Sequence, residues 1–531
     1  MIPFVCAFIG LYHTVGYKKI NKHGRYNKAM RTIVIPFSIG GSVMLNKEDA
    51  EELGLMDGER VKICKGRTSC TADLQTTYGF VRRREIAIPS EIANTIKVVE
   101  GDEVEVIPVQ KPDSVLYIKK KMDGKKLDKD EIRKIISDTV SNSLSNVELT
   151  AFVLSNFING MDFDEIEWMT RAMIETGERI TFEKGIVVDK HSIGGVPGNK
   201  ITLLIVPIIA ASGLLIPKTA SRAITSATGT ADTFEVLADV NLSVDEIKEI
   251  TEKVGGVIAW GGATQIAPAD DVIIKVEHPL SIDPKPQLLA SVMAKKGSVG
   301  AKHVVIDIPV GEGSKVPDIE KGRELANDFV ELGRRLGLNV FCALSYGGQP
   351  VGRAIGPALE AREALLNLEK VTSQSLVEKS LGLAGILLEM AGKTTNGYEY
   401  AKEILNSGKA LEKMREIIQA QGGEIIRADD VPVGDKTYTL KAAKEGAVES
   451  VYNRTIVKIA RAAGAPKDKG AGVYLHKKRG EVVKEGDSLI TIYAEKEWKL
   501  DNAIDIALQE SPVEITGMIL ERYPSYRFIR G

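Results

Sequence analysis

The sequence predicts an α/β protein in which a small all-helical domain accompanies a large mixed α/β domain. An N-terminal pseudo-symmetric β-barrel and a C-terminal α+β subdomain flank them. Three observations predict this. An ungapped repeat fills much of the first hundred residues, three capped amphipathic helices follow, and from Ile186 strands, glycine turns and apolar helices succeed one another. The chain of 531 residues has the length of roughly three or four domains. With 44% hydrophobic and 27% charged residues it reads as soluble and able to bury a core.

The repeat sets Leu45–Ile63 against Ile88–Val106. Glu48/Glu91, Ala50/Ala93, Gly58/Gly101 and Val61/Val104 are identical, and Leu53/Ile96, Leu55/Val98 and Ile63/Val106 stay apolar. Each copy reads as a short helix, a glycine turn and an alternating strand. Neither copy can bury a core alone, so the two should intertwine into one barrel. This resembles the double-psi and swapped-hairpin barrels, some of which bind DNA. An assembly or cap role is the alternative, favoured by the acidic second copy.

The helices announce their starts with Asp128-x-x-Glu131, Ser145-x-x-Glu148 and Asp162-x-x-Glu165. In each, the cap side chain can satisfy amides left free at the helix start. Apolar stripes follow: Ile132, Ile135, Ile136 and Val140 in the first helix, Ile166, Met169 and Met173 in the third. Further on, Ile186–Val188, Val304–Ile308 and Asn339–Leu344 read as buried strands followed by glycines, predicting a mainly parallel sheet. Gly470–Ile490 resembles a lipoyl- or biotinyl-like barrel, but Lys496 lacks the hairpin-tip context of a carrier lysine, so this region reads as structural.

Charge narrows the function classes. The net charge is −2, yet residues 1–47 carry seven basic side chains and no acidic one, leaving −9 on the remainder. A pI near 6.4 argues against nonspecific binding to a nucleic-acid backbone. Four scattered cysteines give neither a disulfide framework nor a Cys-x-x-Cys metal pair, so a reducing cytoplasm is expected. Ile2–Leu11 is apolar, but its basic cluster follows rather than precedes it, the wrong order for secretion, and it is too short to span a bilayer. Residues 1–29 read as an upstream extension, with Met30 a plausible start.

The densest chemical signal is Asp189-Lys-His-Ser-Ile-Gly-Gly-Val-Pro-Gly-Asn-Lys200, between a buried strand and a helix start. Free amides and the helix dipole favour an anion there. Gly194 and Gly195 permit close backbone approach, Ser192 adds a hydroxyl and Lys190 a charge. The spacing is not that of a P-loop, and a plain βα turn with surface lysines is the bland alternative. The second signal runs from Ser221 to Glu235, where five hydroxyls and Arg222 fall within ten residues and could bond phosphate and sugar oxygens.

Together, Lys190-His-Ser-Ile-Gly-Gly and Ser221-Arg-x7-Thr230-x-Asp232-x2-Glu235 resemble the thymidine/pyrimidine-nucleoside phosphorylases. The likeness extends over 113 to about 520, through Lys119-Lys-Lys-Met-Asp-Gly, Glu131-Ile, Ala290–Lys296 and Glu360-Ala-Arg-Glu363. It implies a helical domain (113–182 and 265–300), an α/β phosphate-binding domain (185–262 and 301–430) and a cleft that closes between them. The barrel would occupy 30–110 and the α+β subdomain 431–531. Three departures point to another substrate. Val276 stands where those enzymes place a base-binding Arg, Pro309 where they usually have Lys, and Ala223, Thr225, Ser226 and Ala227 replace glycines.

With the N-terminal barrel, the pattern resembles the archaeal AMP phosphorylases, which convert a nucleoside 5′-monophosphate and phosphate into free base and ribose 1,5-bisphosphate. That resemblance implies AMP contacts at Gly195, Ser221, Arg222, Ala223, Ile224, Thr225, Ser226, Thr230, Ser291 and Lys315. Asp283 would be the proton donor, and Lys190, Ser192 and Thr230 would surround inorganic phosphate. His191 and Lys295 would stand on the base side. Phosphate is a co-substrate and no cofactor is implied; at least a homodimer is, and neither nucleic acid nor membrane is an expected partner. Asp283-Pro284 also reads as an N-cap followed by proline, a structural role that could coexist with acid catalysis. The Gly311–Lys315 turn could bring Lys315 to the nucleotide phosphate, and Ser345–Arg353 reads as a strand–helix turn near the hinge. A pyrimidine nucleoside phosphorylase, a phosphoribosyltransferase and a DNA-binding or assembly protein remain the alternatives.

Overall fold

A computed structural model describes residues 28–39, 41–223 and 226–517. The chain divides into two compact units, one comprising residues up to Lys125 with Ser137–Phe152, the other Lys126–Ile136 with everything from Val153.

The first unit begins with β1 (Lys28–Ile35), β2 (Ser42–Asn46), α1 (Lys47–Glu52), β3 (Arg60–Lys65), β4 (Thr68–Thr77), β5 (Glu85–Pro89), α2 (Ser90–Ile96) and β6 (Glu103–Pro108). The strands close a barrel in the order β1-β5-β2-β4-β3-β6. Strands of the first repeat (β1, β2, β3) and of the second (β4, β5, β6) alternate all the way round, so every ladder joins one copy to the other. This is the intertwining that two half-cores require. The identical repeat positions do equivalent work: Ala50 and Ala93, Val61 and Val104 are buried, while Gly58 (φ 82°) and Gly101 (φ 84°) make the turns. Lys28 and Ala29, assigned from sequence to the extension, belong to β1, where they pair with Val106 and Glu105. Residues 1–27 lie outside the described residues.

Next come α3 (Ser114–Met122), α4 (Lys129–Val140), α5 (Asn146–Asn159) and α6 (Phe163–Glu175). All three predicted caps form. Asp128 Oδ1 accepts from the Glu131 amide, Ser145 Oγ from the Glu148 amide, and Asp162 Oδ1 from the Glu165 amide, each glutamate returning the bond to the cap amide. Ile132, Ile135 and Ile136 are buried and Val140 half-buried. Helix α3 escaped the sequence reading because its Lys119-Lys-Lys run masks the apolar face.

The second unit continues with β7 (Val188–Ser192), α7 (Thr202–Ala211), β8 (Ile216–Ala220), α8 (Thr230–Phe234), α9 (Val244–Val254), β9 (Gly256–Trp260), α10 (Pro268–Leu280) and α11 (Lys285–Ser298). Then follow β10 (His303–Val310), α12 (Ile319–Leu336), β11 (Asn339–Tyr346), β12 (Ala354–Ile355), α13 (Pro357–Glu369), α14 (Gln374–Met390), α15 (Gly397–Asn406) and α16 (Lys409–Ala420). The predicted parallel sheet has the order β11-β10-β7, and a parallel bridge between Val187 and Leu215 continues it to the parallel pair β8-β9. Helix α7 is apolar on every side and buried along nearly its whole length, so it forms a core spine for the α/β domain. The turns following β7, β8 and β10 thus emerge at one edge, the carboxyl ends of parallel strands, where open α/β sheets bind ligands.

The C-terminal part holds β13 (Lys436–Lys441), β14 (Gly446–Val451), α17 (Asn453–Ala463), β15 (Gly472–Leu475), β16 (Val482–Val483), β17 (Ser488–Ala494), α18 (Glu497–Glu510) and β18 (Val513–Thr516). It forms two antiparallel sheets, β12-β15-β17-β13 and β16-β14-β18, around one apolar core. Lys496 precedes α18 rather than tipping a hairpin.

Candidate active site

A cleft of about 630 Å³ opens at the carboxyl ends of β7 and β8 and brings together the two chemical signals of the sequence. Lys190, His191, Ser192, Gly194 and Gly195 line one side. Ser221, Arg222, Ala223, Ser226 and Thr230 line another. Ile224 and Thr225 lie outside the described residues.

The glycine turn is held from below. Lys200, fully buried, pairs with Glu363 at 2.7 Å and donates to the carbonyls of Gly198 and Ala354. Ser192 donates to Asp307 Oδ2 at 2.7 Å and accepts from Asn199 at 2.8 Å. At Gly195 (φ 87°) a β-carbon would stand 2.6 Å from the Lys315 amide nitrogen, so only glycine lets the turns after β7 and β10 touch.

Lys190 is not a surface lysine. It is 3% exposed, and burial drives its pKa down to about 7 against the pull of Asp307. Beside it, Asp189 receives Lys296 at 2.5 Å and has Lys218 at 3.6 Å. His191 is held well below its usual range by burial and then by the surrounding lysines, which keeps its ring neutral. Lys218 and Lys296 both line the cleft, and the sequence reading passed over them. A lysine inside the apolar strand Ile216–Ala220 was the available signal for the first.

The hydroxyl-rich loop is organised by acids rather than left loose. Asp232 Oδ2 accepts from the amides of Ala223 (2.6 Å) and Gly229 (2.9 Å). Arg222 forks onto Glu235 and lies 4.6 Å from the centre of the Trp260 ring, so much of its guanidinium is committed to shaping the wall. The hydrogen bond from Arg222 is the largest influence lowering the Glu235 carboxyl, to about 2.

Helices α10 and α11 supply the facing wall through Asp271, Ile274 and Lys295. Lys295 bonds Asp270 at 2.6 Å and lies 3.4 Å from Ser291 Oγ, one turn earlier on α11. Burial would depress Lys295, yet Asp270 outweighs it and holds the ammonium above its usual range. Burial also lifts the carboxyls of Asp271 to about 6 and of Glu360, on the opposite wall, to about 7. Val276, where pyrimidine enzymes would carry Arg, is a buried side chain of α10.

Asp283, Ser291 and Lys315 are not among the residues lining this cleft. Asp283 lines a separate hollow of about 330 Å³ with Phe157 and Pro284. Its side chain does not cap α11; its carboxylate instead receives Lys315 at 2.5 Å. Lys315 in turn adjoins the cleft through its backbone contact with Gly195. The Ser345–Arg353 turn is clamped to the C-terminal part, with Lys478 donating to the carbonyls of Pro350 and Gly352 and Arg353 pairing with Glu481 at 2.6 Å. Among the described residues, no group of three or more His, Cys, Asp or Glu side chains is placed to hold a metal ion.

Residues 115–177 match the glycosyl transferase family helical bundle domain, 184–411 its a/b domain, and 447–514 the pyrimidine nucleoside phosphorylase C-terminal domain. The anthranilate phosphoribosyltransferase of Thermus thermophilus shares the fold at 20% identity and a TM-score of 0.50, covering 59% of this chain and all of that one. AMP phosphorylase 1 of Archaeoglobus fulgidus is 68% identical across 93% of this chain and 98% of its own length. AMP phosphorylase 2 of the same organism is 57% identical (92% and 97%), and the AMP phosphorylase of Methanocella arvoryzae 54% (90% and 96%). Identity at this level spans barrel, helical bundle, α/β domain and C-terminal part alike, and the chain therefore belongs to the AMP phosphorylase family.

Proposed function

We propose that the protein catalyses phosphorolysis of nucleoside 5′-monophosphates, with AMP and phosphate giving adenine and ribose 1,5-bisphosphate. The observation that carries this reading is the joining of two anion-binding elements in one cleft, the Lys190–Gly195 turn and the Ser221–Thr230 loop. A reaction that consumes both a nucleotide and free phosphate needs two such elements side by side.

Inorganic phosphate binds at Lys190, Ser192 and the Gly194–Gly195 amides. The nucleotide lies along Ser221–Ser226, Thr230, Ser291 and Lys315, with its base toward α10 and α11. Cleavage of the glycosidic bond leaves cationic character on the ribose and negative charge on the base. Asp283 protonates a purine ring nitrogen as the bond breaks, a step worth about 10²–10⁴-fold. Phosphate, already oriented, attacks the anomeric carbon from the opposite face. Asp283 stands outside the open cleft, so reaction requires α10 and α11 to close on the α/β domain and Asp283 to part from Lys315.

The match of 447–514 to a pyrimidine nucleoside phosphorylase domain keeps one rival in view. Base release from AMP, CMP, UMP and their nucleosides, with and without phosphate, separates the two. Turnover of nucleosides alone would overturn the nucleotide reading. The active species is a homo-oligomer, at least a dimer, working in the cytoplasm on small molecules; no described helix is long and apolar enough to cross a membrane.

A further inference from the structure

Helix α10 carries Asp270, Ile274 and Glu277 at spacings of four and three, which sets all three on one face. Asp270 bonds Lys295 of α11 at 2.6 Å, and Ile274 and Lys295 line the cleft. Glu277 continues this row, two turns beyond Asp270, along the wall toward which the base is directed. The helix ends just after it. Ser281 takes the left-handed region (φ 53°), and the amides of Ser281 and Ile282 turn back onto the carbonyls of His278 and Glu277 at 3.1 and 3.4 Å. This reversal returns the chain, and Asp283 with it, toward Glu277.

The charged neighbours of Glu277 are the carboxylates of Asp270 and Asp283 and the ammonium groups of Lys315 and Lys295. Both lysines are engaged elsewhere, Lys295 by Asp270 and Lys315 by Asp283. Glu277 Oε1 is buried and, among the described residues, takes no hydrogen bond. Burial, reinforced by the two aspartates, lifts the carboxyl to about 8. A buried acceptor without a donor is costly, and here the donor is absent at the wall of a ligand cleft.

We propose that Glu277 reads the base, its carboxyl oxygen accepting a hydrogen bond from the exocyclic amine of adenine beside the ring nitrogen that Asp283 protonates. The inference rests on the phosphorolysis reading, with Asp283 as the acid, and deepens it by naming the base contact. In adenine the exocyclic amine and N7 share one edge, a donor beside an acceptor. Two carboxyls on either side of one helix-ending turn match that edge: Glu277 accepts from the amine, and Asp283 donates to N7. The amine keeps both its protons; the proton transferred is that of Asp283. As N7 gains it, positive charge spreads to the amine, so the bond to Glu277 strengthens while the glycosidic bond breaks, and the contact favours the transition state.

The test compares AMP with purine riboside 5′-monophosphate, which carries hydrogen in place of the amine. The ratio of their kcat/KM values is measured for wild type, Glu277→Met and Glu277→Gln. Removing the acceptor in Glu277→Met should lower this ratio about 10- to 100-fold, by slowing AMP and leaving the amine-free nucleotide within about twofold. Glu277→Gln keeps a carbonyl acceptor of the same reach and should retain most of the preference. An unchanged ratio in Glu277→Met, an equal fall for both nucleotides, or an equal loss in both variants overturns the assignment. If Glu277→Met does not fold, equal affinity of the wild-type chain for the two nucleotides, titrated without phosphate, overturns it instead. That titration needs no turnover, so failure of the phosphorolysis assay and failure of this inference are distinguishable.

Discussion

The ammonium of Lys315 lies 2.5 Å from the carboxylate of Asp283, and both side chains are nearly half exposed. A carboxylate engaged in this way is an acceptor, whereas the proposed acid must deliver a proton. The substrate has to break this pair. Because an exposed pair is worth only about 0–1 kcal/mol, a dianionic nucleotide can do so easily. Asp283→Asn should lower AMP turnover by about 10²–10⁴-fold while nucleotide binding is largely kept. Asp271→Asn is the comparison, since that carboxyl already lines the cleft and is raised to about 6 by burial. If steady-state kinetics show Asp271→Asn as the crippled variant and Asp283→Asn near normal, the acid is Asp271.

The two turn glycines separate backbone strain from close approach. Gly194 and Gly195 both have positive φ, but a β-carbon at Gly194 meets nothing within 4 Å. Gly194→Ala should therefore cost only the left-handed penalty, about 1–2 kcal/mol. Gly195→Ala adds a collision with the Lys315 backbone and should cost more, about 1–3 kcal/mol beyond that. Denaturant unfolding gives the energies. The phosphate KM should rise clearly for Gly195→Ala and little for Gly194→Ala.

What could be read from the chain follows the range of the interaction. The cap pairs 128/131, 145/148 and 162/165 are local, and all three form. The repeat demanded partners for two half-cores, and the strand order alternates accordingly. Lys296 and Asp189 are 107 positions apart, so no local motif could show that they meet. Arg222 was legible as a cation near a hydroxyl loop, but not its commitment to Glu235, because both readings produce the same spacing. Asp283-Pro284 had the form of a helix cap, yet the pairing with Lys315 from a distant turn prevailed.

Lys190 makes the buried cluster pH-sensitive. Its pKa is about 7 in the folded chain, chiefly through burial, against 10.5 as the ordinary value. The unfolded chain therefore binds the extra proton between these limits, and stability should rise as pH goes from about 7 toward 10. Below about 7 the lysine is protonated in both states and its contribution flattens. Lys190→Met should remove this part of the slope, measured as unfolding free energy against pH. A slope identical to that of wild type would show that Lys190 is already charged in the empty fold.

The pair Lys200–Glu363 tests whether the phosphate turn depends on a foundation it never exposes. Lys200 is fully buried, bonds Glu363 at 2.7 Å and reaches three carbonyls of the 198–199 and 351–354 segments. Glu363 accepts from the amides of Arg353 and Ala354, so its carboxylate ties the same segments together. Lys200→Met leaves a buried carboxylate beside three carbonyls without their donor, a loss of about 3–5 kcal/mol. Adding Glu363→Gln removes the stranded charge while keeping the shape, so the double variant should be more stable than Lys200→Met alone. That sign is decisive: if the double variant is the less stable of the two, Glu363 acts through its amide bonds rather than through Lys200. The turn that holds phosphate should loosen in the single variant, raising the phosphate KM before the AMP KM.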